Sequence, residues 1–278
     1  MNDNIKMVVA DIDGTLNVSG DAHLLPVVKK ALEDLHEAGV LIGIASGRPI
    51  YQIKRNMMGW HLKYEPDFII GFNGAELYDK ETDKQYQQNF LTAEQVKGAF
   101  DHMAPFRDRT NAFIYFHEGM LFEKDDVILH KAATKYSGIE SVTLAKDPSE
   151  LWAEGNAKIH FRCLDVNDMP EVEKYVKETP HPYLTGSKTQ KDLMELFHKD
   201  VSKGNMLTEY CGRIGIDLAN VAAFGDTTND NSMLEVAGVA VCLLNGSDDT
   251  KALADYITEY ECKDGGFGHF VNKYILEK

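Results

Sequence analysis

Met7-Val8-Val9-Ala10-Asp11-Ile12-Asp13-Gly14-Thr15-Leu16 is the decisive stretch: four consecutive apolar residues, two carboxylates one residue apart, then a glycine. An apolar run with no polar alternation reads as a strand covered on both faces, the pattern of a parallel sheet. Leu41 to Ala45, Phe68 to Phe72, Val221 to Phe224 and Val239 to Leu244 have the same form. Between the first two runs, about Leu25 to Ala38 has helical period, with Val28, Leu32 and Leu35 on one face and Gly39 as the stop. Pro49, tolerated in a first turn, opens a second helix through Met57, and Lys203 to Ile214 and Asn231 to Ala237 supply helices between later strands. Both ends of the chain therefore read as one α/β structure around a central parallel sheet.

The middle reads differently. From about Thr82 to Lys188, strands alternate or are rich in aromatics, as in Ala112 to His117 and Lys158 to Cys163. Helical segments near Thr92 to His102, Asp125 to Tyr136 and Asp168 to Thr179 separate them, and Thr92 with Gln95 forms a capping box. Half-buried strands with helices to one side predict an inserted α+β domain at 83–188, with 1–82 and 189–278 as the α/β domain. A length of 278 residues suits two such units.

Apolar residues at 44% and charged residues at 26% describe an ordinary folded chain. The net charge of −15, unbroken by a basic cluster, argues against nucleic acid and anionic membrane as partners. Cys163, Cys211, Cys242 and Cys262 show no zinc-type or C-x-x-C spacing and read as buried free thiols. Met1 to Val9 has no leader pattern, and no apolar run is long enough to span a bilayer, so a cytoplasmic protein is expected. Oligomeric state is left open, since no heptad is present.

In open α/β sheets ligands bind beyond the carboxyl ends of the strands. There the chain places Asp11-Ile12-Asp13-Gly14-Thr15, Ser46-Gly47-Arg48, Asn73-Gly74 and Gly225-Asp226-Thr227-Thr228-Asn229-Asp230. Asp11, Asp13, Asp226 and Asp230 meeting in one site would repel one another unless a cation were present. Carboxylates without accompanying histidine or cysteine suit a hard ion, and few protein ligands suit Mg2+ better than Ca2+. Lys203, at a helix N-terminus, opposes the helix dipole unless it faces an anion. Asp11-Ile12-Asp13-Gly14 is no calcium loop, because Leu16 and Ala22 stand where glycine and glutamate are needed. Phosphate-loop, nucleophile-elbow, zinc-protease and dinucleotide motifs are absent.

Asp11-Ile12-Asp13-Gly14-Thr15-Leu16, Ser46-Gly47-Arg48-Pro49, Ser202-Lys203-Gly204 and Gly225-Asp226-x-x-Asn229-Asp230 follow the order of the four motifs of the haloacid dehalogenase superfamily. The chain resembles its Cof-type phosphatases over nearly its whole length, including Asn73-Gly74-Ala75 and Glu261 to Phe267. The resemblance implies a Rossmann-like core with a C2B cap and hydrolysis of a small phosphorylated metabolite. Asp11 would be the nucleophile that becomes aspartyl-phosphate, and Asp13 the general acid and later base. Asp11, the Asp13 carbonyl and Asp226 would hold Mg2+, with Asp230 orienting its waters. Ser46, Lys203, Asn229 and the backbone at Ile12 and Gly47 would cradle phosphate.

Arg48 and Asn73 stand at strand ends where substrate would be touched. Phe113, Tyr115, Phe116, His117, Trp152, His160 and Tyr183 are candidates for facing the site from the cap. Thr227 and Cys242-Leu243-Leu244-Asn245 depart from the usual pattern, and the second implies a differently shaped loop. The alternatives are a phosphosugar mutase with the same intermediate, separated by release of inorganic phosphate without a bisphosphate activator, and a silent phosphometabolite-binding protein, separated by binding without turnover.

Overall fold

The short apolar runs all form buried strands in the computed structural model, which describes residues 5–18, 21, 23–116, 118–136 and 141–277. The chain begins with β1 (Met7–Ala10), α1 (Pro26–Glu37), β2 (Leu41–Ala45), α2 (Ile50–Met58), β3 (Phe68–Gly71), β4 (Glu76–Asp79) and β5 (Lys84–Gln87). Next come α3 (Ala93–His102), β6 (Thr110–Phe116), β7 (Gly119–Phe122), α4 (Val127–Tyr136), β8 (Val142–Leu144), β9 (Lys158–Cys163), α5 (Met169–Glu178), β10 (Leu184–Gln190) and β11 (Leu193–His198). It continues with α6 (Lys203–Ile214), β12 (Val221–Gly225), α7 (Asn231–Val236), β13 (Val239–Cys242), α8 (Asp248–Leu253), β14 (Tyr256–Ile257) and α9 (Gly266–Val271). Among the described residues no helix is long and apolar enough to cross a membrane.

Two compact units result. The first takes the chain through Gln88 and from Val201 onward; the second is Asn89–Asp200. In the first, one sheet has the order β14-β13-β12-β1-β2-β3-β4-β5, parallel from β14 to β3 and antiparallel over its last two strands. Strand residues alternate between two cores, with Val8 and Ala10 packed with Val28, Leu32, Leu35 and Phe267, and Met7 and Val9 with Met206, Leu207 and Leu234. Helices on both faces explain why β1, β2, β3, β12 and β13 carry no polar residues. The order reverses at β1, where the chain crosses from the β2 side to the β12 side, so the ends of β1, β2 and β12 border a crevice.

The second unit is an α+β insertion with the sheet order β10-β11-β9-β6-β7-β8. From β9, Ile159, Phe161 and Cys163 pack with α3 and α5 residues such as Phe100 and Val172. Lys158, His160 and Arg162 alternate with them and are also buried, satisfied by charge partners: Lys158 Nζ lies 2.7 Å from Glu195 Oε2, and Arg162 Nε 2.8 Å from Asp126 Oδ2. The ends of the unit meet, Asn89 Nδ2 donating to the Asp200 carbonyl at 3.3 Å.

Both expected junctions move. Lys84–Gln87 pairs with Glu76–Asp79, so a boundary after residue 82 would cut a hairpin of the first unit. Leu193–His198 pairs with β9 and β10, so a boundary after residue 188 would split the inserted sheet. Pro49 is also displaced, to the N-cap of α2. There the buried Glu76 carboxylate accepts from the Ile50 N–H at 3.0 Å and caps the helix from β4.

Candidate active site

Register brings the expected polar groups to one edge. Ala10 lies beside Phe224 and Ile44, so Asp11 and Gly225-Asp226 leave adjacent strands at the same level. The Asp11 N–H still donates to the Phe224 carbonyl at 3.0 Å. Past β12 the chain turns sharply: Asp230 Oδ2 accepts from the Asp226 and Thr227 N–H groups at 2.9 and 3.1 Å. Gly225 permits that turn, because a Cβ there would stand 2.4 Å from the Asp230 Cβ. Asp11, Asp226 and Asp230 are all buried, and each presents a carboxylate oxygen within 4.8 Å of the others.

Lys203, fully buried at the first position of α6, points its ammonium into this group, 2.6 Å from Asp11 Oδ1 and 2.5 Å from Asp230 Oδ1. Ser202 caps the helix, accepting from the Asn205 N–H at 3.1 Å. The helix start reaches this position only because of Gly74, whose φ is +112° and whose Cβ would fall 2.1 Å from the Ser202 carbonyl oxygen. The unfavourable dipole position anticipated for Lys203 is thus offset by two carboxylates.

The electrostatics call for further positive charge. Burial first, then the Asp230 charge, pushes Asp11 up to about 8 against the pull of Lys203. Burial and Asp230 push Asp226 up to about 7. Burial would lower Lys203, yet Asp11 and Asp230 hold it above the ordinary lysine value. Three carboxylates against one ammonium, with oxygen as the only donor type, fit a hard divalent cation.

Asp13 lies outside this triad. Arg48 holds it with two bonds, Nε to Oδ2 at 2.9 Å and Nη2 to Oδ1 at 2.7 Å. Arg48, expected at substrate, is therefore engaged with the expected general acid. Ser46, also buried, accepts at Oγ from the Arg48 N–H at 3.3 Å within the β2 loop. The Ile12 side chain is in the core, and its carbonyl accepts from the Leu16 and Asn17 N–H groups at 3.0 Å, closing the Asp13–Leu16 turn. Gly47 faces Asn73, whose Oδ1 accepts from Asn229 Nδ2 at 3.2 Å.

Three residues given no role from sequence serve the site. Gly14 has φ +91°, and a Cβ there would lie 2.3 Å from Asp226 Oδ2. Thr15, fully buried, donates to Asp226 Oδ1 at 3.1 Å. Asn245 donates to the Gly14 carbonyl at 2.9 Å and accepts from the Cys262 N–H at 2.7 Å. A hydroxyl beside paired carboxylates was the available signal for Thr15; the Asn245 contact joins residues too distant in sequence to leave one.

Of the candidates in the inserted unit, Phe113 and His160 are buried and stacked, with centroids 4.4 Å apart, Trp152 packs on Phe100, and Tyr183 sits against Gly98. Tyr115 and Phe116 are half-buried on β6, and His117 lies outside the described residues.

Residues 8–271 match the family of haloacid dehalogenase-like hydrolases. The chain belongs to that family. Among relatives of this hydrolase, a Streptococcus pyogenes serotype M6 protein named provisionally as a phosphatase is 27% identical, covering 98% of this chain and 99% of the relative. The 5-amino-6-(5-phospho-D-ribitylamino)uracil phosphatase YcsE of Bacillus subtilis is 25% identical over 94% of this chain and 93% of its own length. The solved subclass IIB sugar phosphatase BT4131 superposes with a TM-score of 0.78 at 21% identity, covering 97% of this chain and 98% of that one. This haloacid dehalogenase-like hydrolase is a phosphatase of the Cof type, with a Rossmann-like core and an inserted cap-type domain.

Proposed function

We propose that this phosphatase hydrolyses a small phosphorylated metabolite with Mg2+ as cofactor, by transient phosphorylation of Asp11. The observation that carries this reading is the Lys203 ammonium 2.6 Å from Asp11 within a buried three-carboxylate cluster. Asp11, Asp226 and the Asp13 carbonyl would hold Mg2+, with Asp230 orienting its waters; when bound, the ion offsets the repulsion between carboxylate and phosphate.

Asp11 attacks phosphorus, and the bond from phosphorus to the leaving oxygen breaks as Asp13 gives that oxygen a proton. Water then attacks the aspartyl-phosphate, Asp13 takes its proton, and the Asp11 carboxylate is restored as inorganic phosphate departs. Asp13 reaches the leaving oxygen once its two-point contact with Arg48 loosens. Lys203 neutralises charge beside Asp11, while Ser46, Asn229 and the backbone at Ile12 and Gly47 receive phosphate oxygens. Because one relative is named for a phosphorylated ribitylamino compound, we would assay phosphorylated sugars and polyols before nucleotides and phosphorylated cofactors.

The test is phosphate release by wild type and Asp11→Asn across phosphorylated metabolites, with Mg2+ or EDTA and no bisphosphate activator. Wild type with Mg2+ turns over, while EDTA and the substitution abolish turnover with circular dichroism unchanged. Normal turnover by Asp11→Asn refutes the nucleophile.

A further inference from the structure

Three consecutive residues after β3 have positive φ: Phe72 at 47°, Asn73 at 56° and Gly74 at 112°. Gly74 has its reason in the close approach of Ser202. Asn73 carries a side chain, so its left-handed backbone is a conformation that the surroundings must hold in place. Asparagine tolerates this region better than most residues, which makes the choice of side chain informative.

The hydrogen bonds show what this backbone accomplishes. The Asn73 N–H donates to the Ser46 carbonyl at 2.9 Å, which anchors the residue to the β2 loop. Its Oδ1 accepts from Asn229 Nδ2 at 3.2 Å, reaching the loop after β12. Asn229 Oδ1 accepts from Thr227 Oγ1 at 2.7 Å, so both ends of the Asn229 amide are fixed. An amide nitrogen has two N–H groups; one engages Asn73, and the other is the donor that a phosphate oxygen would meet. Gly47 leaves room for this arrangement, since a Cβ there would stand 3.2 Å from Asn73 Oδ1.

We propose that Asn73 is a positioning residue of the phosphate site: its side chain orients the Asn229 amide, and its left-handed backbone is retained for that purpose. This rests on reading Asn229 as a phosphate ligand. It replaces direct substrate contact as the role of Asn73, and so makes the effect of Asn73 independent of the leaving group.

The experiment compares wild type, Asn73→Gly, Asn73→Ala, Asn229→Ala and the double variant Asn73→Gly/Asn229→Ala. It measures the inhibition constant of inorganic phosphate, kcat/KM for p-nitrophenyl phosphate with Mg2+, and the melting temperature. Glycine relieves the backbone and alanine does not, so Asn73→Gly keeps the wild-type Tm or gains up to about 4 °C, whereas Asn73→Ala loses about 2–4 °C. Both weaken phosphate inhibition by about 3- to 10-fold, the worth of one ordered hydrogen bond. Because Asn73 acts through Asn229, the double variant is no worse than Asn229→Ala alone. Wild-type inhibition in Asn73→Gly overturns the inference, as do additive losses in the double variant or a Gly variant several degrees less stable than wild type. Loss in Asn73→Gly with no effect of Asn229→Ala also overturns it, because Asn73 would then meet phosphate itself. An unchanged Asn229→Ala removes Asn229 from the phosphate site, whereas loss in Asn229→Ala alone leaves that reading standing and ends this one.

Discussion

Gly14→Ala isolates the fit between the β1 loop and Asp226. The added Cβ would sit 2.3 Å from Asp226 Oδ2, about 1.1 Å short of the 3.4 Å at which ordinary contact begins. The Asp226 carboxylate must move by about that distance or the turn must open, and misplacing a reacting group by about 1 Å lowers rates by on the order of 10²-fold. The left-handed φ of +91° adds a second effect. An alanine there costs about 1–2 kcal/mol, which lowers Tm by roughly 2–8 °C for a chain of this size. The expected variant is therefore folded and catalytically poor. Initial rates on p-nitrophenyl phosphate across a Mg2+ titration, with thermal melts monitored by circular dichroism, separate the two effects. kcat/KM falls by about 10² and half-saturation moves to higher Mg2+, while the melt stays cooperative. A Gly14→Ala protein with wild-type kcat/KM and Mg2+ response would show that the close packing on Asp226 does not set the site.

Lys203→Met leaves Asp11 and Asp230 buried without their cation, so the urea midpoint should reflect a loss of about 3–5 kcal/mol and initial rates a loss of about 10² to 10³. A near-wild-type midpoint would mean the carboxylates find another partner. Mg2+ should raise Tm more at pH 8 than at pH 6, because Asp11 and Asp226, pushed up to about 8 and 7 chiefly by burial, must lose protons before a cation binds. Their raised values also make the metal-free protein lose stability as pH climbs through that window, and a Mg2+ shift independent of pH would contradict both. In the inserted unit burial would raise Glu195, but Lys158 and His160 hold it down to about 2. Its contribution is present above about pH 4.5 and lost as pH falls toward 2, so Glu195→Gln should flatten that limb of an acid-denaturation curve. An unaltered limb counts against the ion pair as the source.

Much of this was legible because physics and sequence agree locally. Met7–Ala10, Leu41–Ala45 and Val221–Gly225 are buried on both faces, so each is a plain apolar run followed by a polar residue. Thr92 and Gln95 form the capping box their spacing announces. The sheet margins were illegible for the complementary reason. Lys84-Gln85-Tyr86-Gln87 is an edge strand, largely exposed and without an apolar signature, so its membership in the large sheet could be read only from pairing. The polar end of β10 hid the extent of the inserted sheet in the same way.

At the site, the residue types and their placement at strand ends were readable, whereas the division of labour was not. Nothing in the sequence says that Arg48 grips Asp13, or that Asn245 reaches Gly14 across 231 positions. The Cys242–Asn245 loop makes that contact, with Gly246 packed against Cys242 Sγ.

The bond between Asn89 and Asp200 has a genetic consequence. A segment that enters and leaves at one point strains its host little when it is lengthened, shortened or exchanged, since closing the gap requires only a short linker. Chimaeras that swap Asn89–Asp200 between relatives, or replace it with a turn, should leave the parent sheet able to fold. Such a gene can diversify in its middle while the flanking parts stay fixed.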